Sequence, residues 1–189
     1  MKASYLYIIT VLFLFSCNIK NKIPPVRNCD IEVFYLPGLI DTSLPYTARK
    51  MKQKMSAAIP QDTIFVDDNV FCELNTLADS ISTKNVRALP TYDGRIYVKW
   101  DSLEICIDTF NDCYNQYDKR LTINDKFIYI LKCKSGYYNT LPKEYLEKYD
   151  RPIRRFGLPK DYVYKFNIDM ISGRKLVIAC KSGDLLKES

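Results

Sequence analysis

The chain contains no histidine among its 189 residues, and this narrows the chemistry open to its acids and thiols. Without imidazole there is no Ser-His-Asp or Cys-His relay and no His-ligated metal. Asp101, Glu104 and Asp108 lie close together, and paired carboxylates are what glycoside hydrolysis requires. Lys99 and Arg95 face two of them across an expected hairpin, so surface ion pairs are their expected role. Cys29, Cys72, Cys106, Cys113, Cys133 and Cys180 form an even set that an oxidising compartment could join in disulfides, with the connectivity open. Several of them could equally stand as buried free thiols, which pack as small apolar side chains. The absence of Cys-x-x-Cys supports neither a thioredoxin-like pair nor a zinc ribbon. In Arg151-Pro152-Ile153-Arg154-Arg155-Phe156, the guanidinium groups of Arg151, Arg154 and Arg155 are the candidate anion contact, because they fork onto phosphate or carboxylate. No P-loop, Gly-x-Ser-x-Gly or dinucleotide fingerprint occurs, so no catalytic residue, cofactor or metal is expected.

Cys17 differs from the other cysteines in its context. Lys2 precedes an apolar stretch over residues 5–15, and Leu14-Phe15-Ser16-Cys17 closes it in the order of a secretory signal. The stretch is too short for a transmembrane helix, which needs about 20 apolar residues. Ordinary cleavage after Ser16 would place bulky Leu14 where a small residue is required. The segment resembles instead the signal of bacterial lipoprotein precursors, whose lipobox accepts Leu there and demands cysteine after the cut. Phe15 departs from the smaller residue commoner at its position. The resemblance covers residues 1–17 and implies that Cys17 takes a diacylglyceryl thioether, becomes the new N-terminus and has its amine acylated, with chains such as palmitate. Asn18 in place of Asp implies the outer membrane if the cell is Gram-negative. Residues 18–28 are polar, contain Pro24-Pro25 and read as a tether, able to span ~36 Å at ~3.3 Å per residue.

The elements that must position these groups follow from periodicity. The expected division is a signal peptide over 1–16, the lipidated cysteine and tether over 17–28, and one α+β domain over 29–189, a mostly antiparallel sheet with two N-terminal helices packed on it. Residues 30–36 alternate as a strand. A helix follows with Ser43 as N-cap, Pro45 in its first turn and Ala48, Met51, Met55 and Ala58 on its apolar stripe. Residues 63–66 read as a short buried strand, and Asp67-Asp68 opens a second helix with Val70, Leu74, Leu77, Ala78 and Ile81 inward.

Residues 95–100 and 103–110 make a hairpin about Asp101-Ser102. One side pairs Trp100 with Leu103, Val98 with Ile105 and Ile96 with Ile107. The other pairs Lys99 with Glu104, Tyr97 with Cys106 and Arg95 with Asp108. A second hairpin is expected from 121–123 and 127–133, a short helix over 142–149, a loop over 151–160, and closing strands over 162–168 and 175–180.

The composition is that of an ordinary globular domain, with 47% hydrophobic and 26% charged residues. A net charge of +6 suits an anionic glycan, lipid or protein partner, and no nucleic-acid-binding signature appears. The 15 tyrosines fit strand formation and a Lys-, Asn- and Ile-rich composition better than a sugar-stacking surface. The expected function is therefore a bacterial envelope lipoprotein, extracytoplasmic, held in the bilayer through acylated Cys17, and non-catalytic in a binding or structural role. Two other readings stay open: an envelope immunity or self-protection lipoprotein, and an envelope enzyme using carboxylates or a cysteine.

Overall fold

The computed structural model describes residues 30–38, 44–84, 92–165 and 172–181. The first strand, β1 (Asp30–Tyr35), lies inside the sheet because both its faces are apolar. Ile31, Val33 and Tyr35 point into one core, and Phe34 points into another on the opposite side. The remaining elements are α1 (Ala48–Ala57), β2 (Asp62–Val66), α2 (Asp68–Asp79), β3 (Ser82–Thr83), β4 (Gly94–Trp100), β5 (Leu103–Asp108), β6 (Cys113–Tyr114) and β7 (Arg120–Thr122), then α3 (Asp125–Lys134), α4 (Lys143–Tyr149), α5 (Arg151–Phe156) and β8 (Arg174–Cys180). The eight strands form one sheet in the order β2-β8-β1-β4-β5-β6-β7-β3, antiparallel throughout except for β2 beside β8. This is a single α+β domain with a mostly antiparallel sheet.

The helices divide between the two faces. Met51 and Met55 of α1 pack on Phe34, Tyr97, Cys106 and Tyr114, while Leu74 and Ala78 of α2 join Val98, Trp100 and Ile105 on the other face. α3, α4 and α5 complete that second layer, so the helices are not confined to the N-terminal part. α1 starts later than expected, with Thr47 as N-cap accepting from Lys50 N–H (3.4 Å). Pro45 precedes the helix, and Ser43 lies outside the described residues. Asp67 caps α2 as expected, accepting from Val70 N–H at 3.0 Å.

The β4–β5 register holds over five expected pairs and fails at the sixth. Trp100 faces Leu103, Lys99 faces Glu104, Val98 faces Ile105, Tyr97 faces Cys106 and Ile96 faces Ile107, but Asp108 faces Gly94 across a bulge at Arg95. The bulge lets Gly94 approach α1, where its N–H reaches the Tyr46 carbonyl at 2.7 Å and a Cβ would strike Cys106 Sγ. Arg95 consequently pairs with Asp93 rather than Asp108.

Four other expectations are corrected. Residues 127–133 are not a strand but the body of α3, which Asn124 caps by accepting from Lys126 N–H at 2.9 Å. An apolar run buried on several sides has no distinguishing period, so the cap, Asp125 in the first turn and Lys132 and Lys134 in the last decide for helix. Residues 151–156 are helical rather than loop, because Asp150 caps Ile153 N–H (2.9 Å) and Pro152 falls in the first turn, where it needs no donor. β2 is an edge strand with Phe65 exposed, not a buried one. Residues 162–165 pair with no strand; Val163 and Lys165 N–H bond Asn139 instead, and 166–168 lie outside the described residues.

Candidate functional site

The turn joining β5 to β6 is built around one carboxylate. Asp108 Oδ1 accepts from the N–H groups of Phe110 (2.9 Å) and Asp112 (2.8 Å), Asp108 N–H reaches the Asp112 carbonyl (2.9 Å), and Asn111 takes φ +66°. Seven residues on, the β6–β7 turn repeats the plan. Asn115 Oδ1 accepts from Tyr117 (2.9 Å) and Lys119 (3.0 Å), and Asp118 takes φ +58°. Asn and Asp tolerate this left-handed conformation, which the bulged three-residue hairpin turn requires. Each turn carries an exposed aromatic at the same place, Phe110 and Tyr117.

Asn111 anchors the first turn to the helices. Its Oδ1 accepts from Lys132 Nζ and its Nδ2 donates to Asp150 Oδ2 at 3.3 Å. Lys132 also pairs with Asp150 Oδ2 at 2.7 Å, and the side chains of the two are only 3% and 4% exposed. Tyr138 donates to Asp150 Oδ1 (3.2 Å), and the rings of Tyr137 and Tyr138 flank the ammonium at 5.2 and 5.4 Å. Asp108 lies close enough to feel Lys132, yet burial outweighs that attraction and its hydrogen bonds and pushes its carboxyl up to about 6.

Beside this buried network opens a polar cleft of about 110 Å³. Its walls include Asn111, Asp112, Lys84, Arg120 and Arg151, drawn from the β5–β6 turn, the end of β3, β7 and the start of α5. Arg151 is held in place: its Nε donates to Asp125 Oδ1 at 2.8 Å and one Nη2 hydrogen to the Asn111 carbonyl at 3.1 Å. Arg120 Nη2 donates to Asp112 Oδ1 at 2.6 Å, and that neighbour holds the guanidinium above its ordinary value.

Of the residues singled out as an anion contact, only Arg151 reaches the cleft. Arg155 sits 3.7 Å from the other Asp125 oxygen and over the Phe156 ring, and Arg154 is exposed elsewhere on α5. Lys84 and Arg120 escaped sequence reasoning, because they come from separate segments with no shared spacing. Glu104 is engaged by Lys52 (2.8 Å) and Tyr97 rather than by Lys99, which turns to Glu32 (3.6 Å). Burial alone would raise its carboxyl, but the bonds from Lys52 and Tyr97 prevail and hold it below the usual range. Asp101 occupies the β4–β5 turn at φ +51°.

Cys72, Cys106, Cys113 and Cys133 stand as thiols outside any disulfide, and so does Cys180, whose Sγ donates to Asp68 Oδ1 at 3.0 Å. Cys17 and Cys29 lie outside the described residues. Cys106 and Cys113 are on adjacent strands but in the cores on opposite faces of the sheet. Burial raises both thiols, and raises Cys133 to about 11, so none of the three is a ready thiolate nucleophile. No group of His, Cys, Asp or Glu suited to a metal occurs among the described residues, and no described helix is long and apolar enough to cross a membrane. Compared with known proteins, the chain matches no family model, no curated protein and no solved structure.

Proposed function

We propose that this chain is a bacterial envelope lipoprotein, anchored through acylated Cys17, whose single domain works by binding rather than by catalysis. The observation that carries the reading is the string Leu14-Phe15-Ser16-Cys17 at the end of a short apolar stretch, followed by a polar tether. Acylation by two chains suffices to hold a protein on a bilayer, since each buried methylene contributes about 0.8 kcal/mol. The binding role is supported by the described acids and thiols: Glu104 is occupied by Lys52 and Tyr97, Asp108 by its own turn, and the buried thiols are protonated.

The strand directions add an orientation to this reading. The tether enters at Asp30, where β1 lies level with Ala179, and β1 then runs away toward Tyr35, level with Ile96. Ile96 pairs with Ile107, so the Asp108–Asp112 turn and its cleft lie at the far end, about 17 Å along the strand from the point of entry. In a domain hung from Cys17 the cleft thus lies at the end of the sheet remote from the tether's attachment.

Cys17→Ala is expected to move the protein from the membrane pellet to the soluble extracytoplasmic fraction. Mass spectrometry of natively expressed wild type should show an N-terminal cysteine carrying the thioether and acyl masses. An intact, unmodified beginning, or pelleting of the variant that survives a high-salt wash, would overturn the proposal.

A further inference from the structure

We infer that the cleft beside the β5–β6 turn is a binding site for a phosphomonoester group carried by a soluble molecule. Three cationic residues, Lys84, Arg120 and Arg151, line its walls against the carboxylate of Asp112, and Asp125 pairs with Arg151 from outside the cleft. This leaves an excess of one positive charge, which favours an oxyanion such as a phosphomonoester. The lining is overwhelmingly polar, and the volume of about 110 Å³ holds several water-sized groups, enough for a tetrahedral oxyanion and the start of what bears it.

The guanidinium of Arg151 is oriented before any ligand arrives. Asp125 and the Asn111 carbonyl take its Nε and one Nη2 hydrogen, and Nη1 has no partner among the described residues. Arg120 is likewise held through one Nη2 hydrogen by Asp112. Fixing both forks in advance lowers the ordering cost of binding, and planar forks match phosphate oxygens in pairs. Behind them, the Lys132–Asp150–Asn111 network keeps the carbonyl that orients Arg151 in place. Phe110, 74% exposed, stands on the same turn but outside the lining of the cleft.

The choice of a soluble source rests on the lipoprotein reading, in which this end of the sheet is the one remote from the tether's attachment. The phosphate chemistry of the cleft does not depend on that reading. Titration calorimetry of the mature, detergent-solubilised protein with glycerol 3-phosphate is the test. Saturable binding, displaced by inorganic phosphate, is expected. Lys84→Gln and Arg120→Gln should each weaken it about 10-fold, as for a lost charge-assisted hydrogen bond, with melting temperatures close to wild type.

Absence of saturation below about 10 mM, equal affinity for acetate, or undiminished binding by both variants would overturn the site. Vesicles of phosphatidic acid and phosphatidylcholine separate the sources. Binding to the phosphatidic acid vesicles without binding of glycerol 3-phosphate would overturn the soluble source. Failure of Cys17 acylation, read separately by mass, would leave the calorimetric result untouched.

Discussion

Lys132→Met is expected to destabilise the domain by about 3–5 kcal/mol, the cost of stranding one member of a buried ion pair. The side chains of Lys132 and Asp150 are 3% and 4% exposed and 2.7 Å apart, so water cannot replace the lost ammonium. The carboxylate would keep Tyr138 OH, Ile153 N–H and Asn111 Nδ2, but three neutral donors do not balance a buried charge. Lys132 ties together α3, the β5–β6 turn through Asn111, and the α4–α5 junction through Asp150, so the loss should appear as a cooperative fall in melting temperature of roughly 10 °C.

The double variant Lys132→Met/Asp150→Asn distinguishes charge from packing. Asn can still cap α5, and no charge is then left unpaired, so more than half of the lost stability should return. A single variant that melts within about 1 kcal/mol of wild type would mean that the pair is solvated. Because Asn111 also orients Arg151, phosphate binding in the single variant should weaken further than its charge, distant from the ligand, would explain.

The β4–β5 hairpin was readable because each residue argued for the same partner: Trp100 against Leu103, Val98 against Ile105 and Lys99 against Glu104 all fail together if the register slips. Its bulge at Arg95 was not, since it follows from the approach of Gly94 to the Tyr46 carbonyl, a contact between segments far apart in the chain. α3 and α5 carried their signals openly, Asn124 and Asp150 as caps and Pro152 in a first turn, yet an aperiodic apolar run and a proline among arginines suggest strand and loop just as readily. Of the cleft, only Arg151 was legible. Lys84 and Arg120 join it through the β3–β7 pairing, which short strands leave almost no mark of in sequence.

Asp108→Asn should stabilise the protein near neutral pH, against the usual direction for replacing a buried, hydrogen-bonded acid. The equivalent residue of the neighbouring turn is already Asn115, whose Oδ1 accepts the same two backbone N–H groups, so the turn itself loses nothing. What changes is the charge. With burial pushing the Asp108 carboxyl up to about 6, the folded state holds its proton more tightly than the unfolded chain, whose value is about 3.9. The resulting stabilisation of wild type is full below about pH 4 and is lost as pH rises through about 6. Above that range the fold must carry an ionised Asp108 near Asp112, with Lys132 already committed to Asp150.

Unfolding free energies from denaturant titration should therefore nearly coincide for variant and wild type near pH 4 and separate by about 3 kcal/mol in favour of the variant near pH 7.5, since each pH unit between the folded and unfolded values of the carboxyl is worth about 1.4 kcal/mol. Equal separation at both pH values would show that the carboxyl does not titrate between them. A less stable variant at the higher pH would show that Lys132 attracts the ionised Asp108 strongly enough to overcome its burial, making three charges and not two the unit that holds the turn to α3.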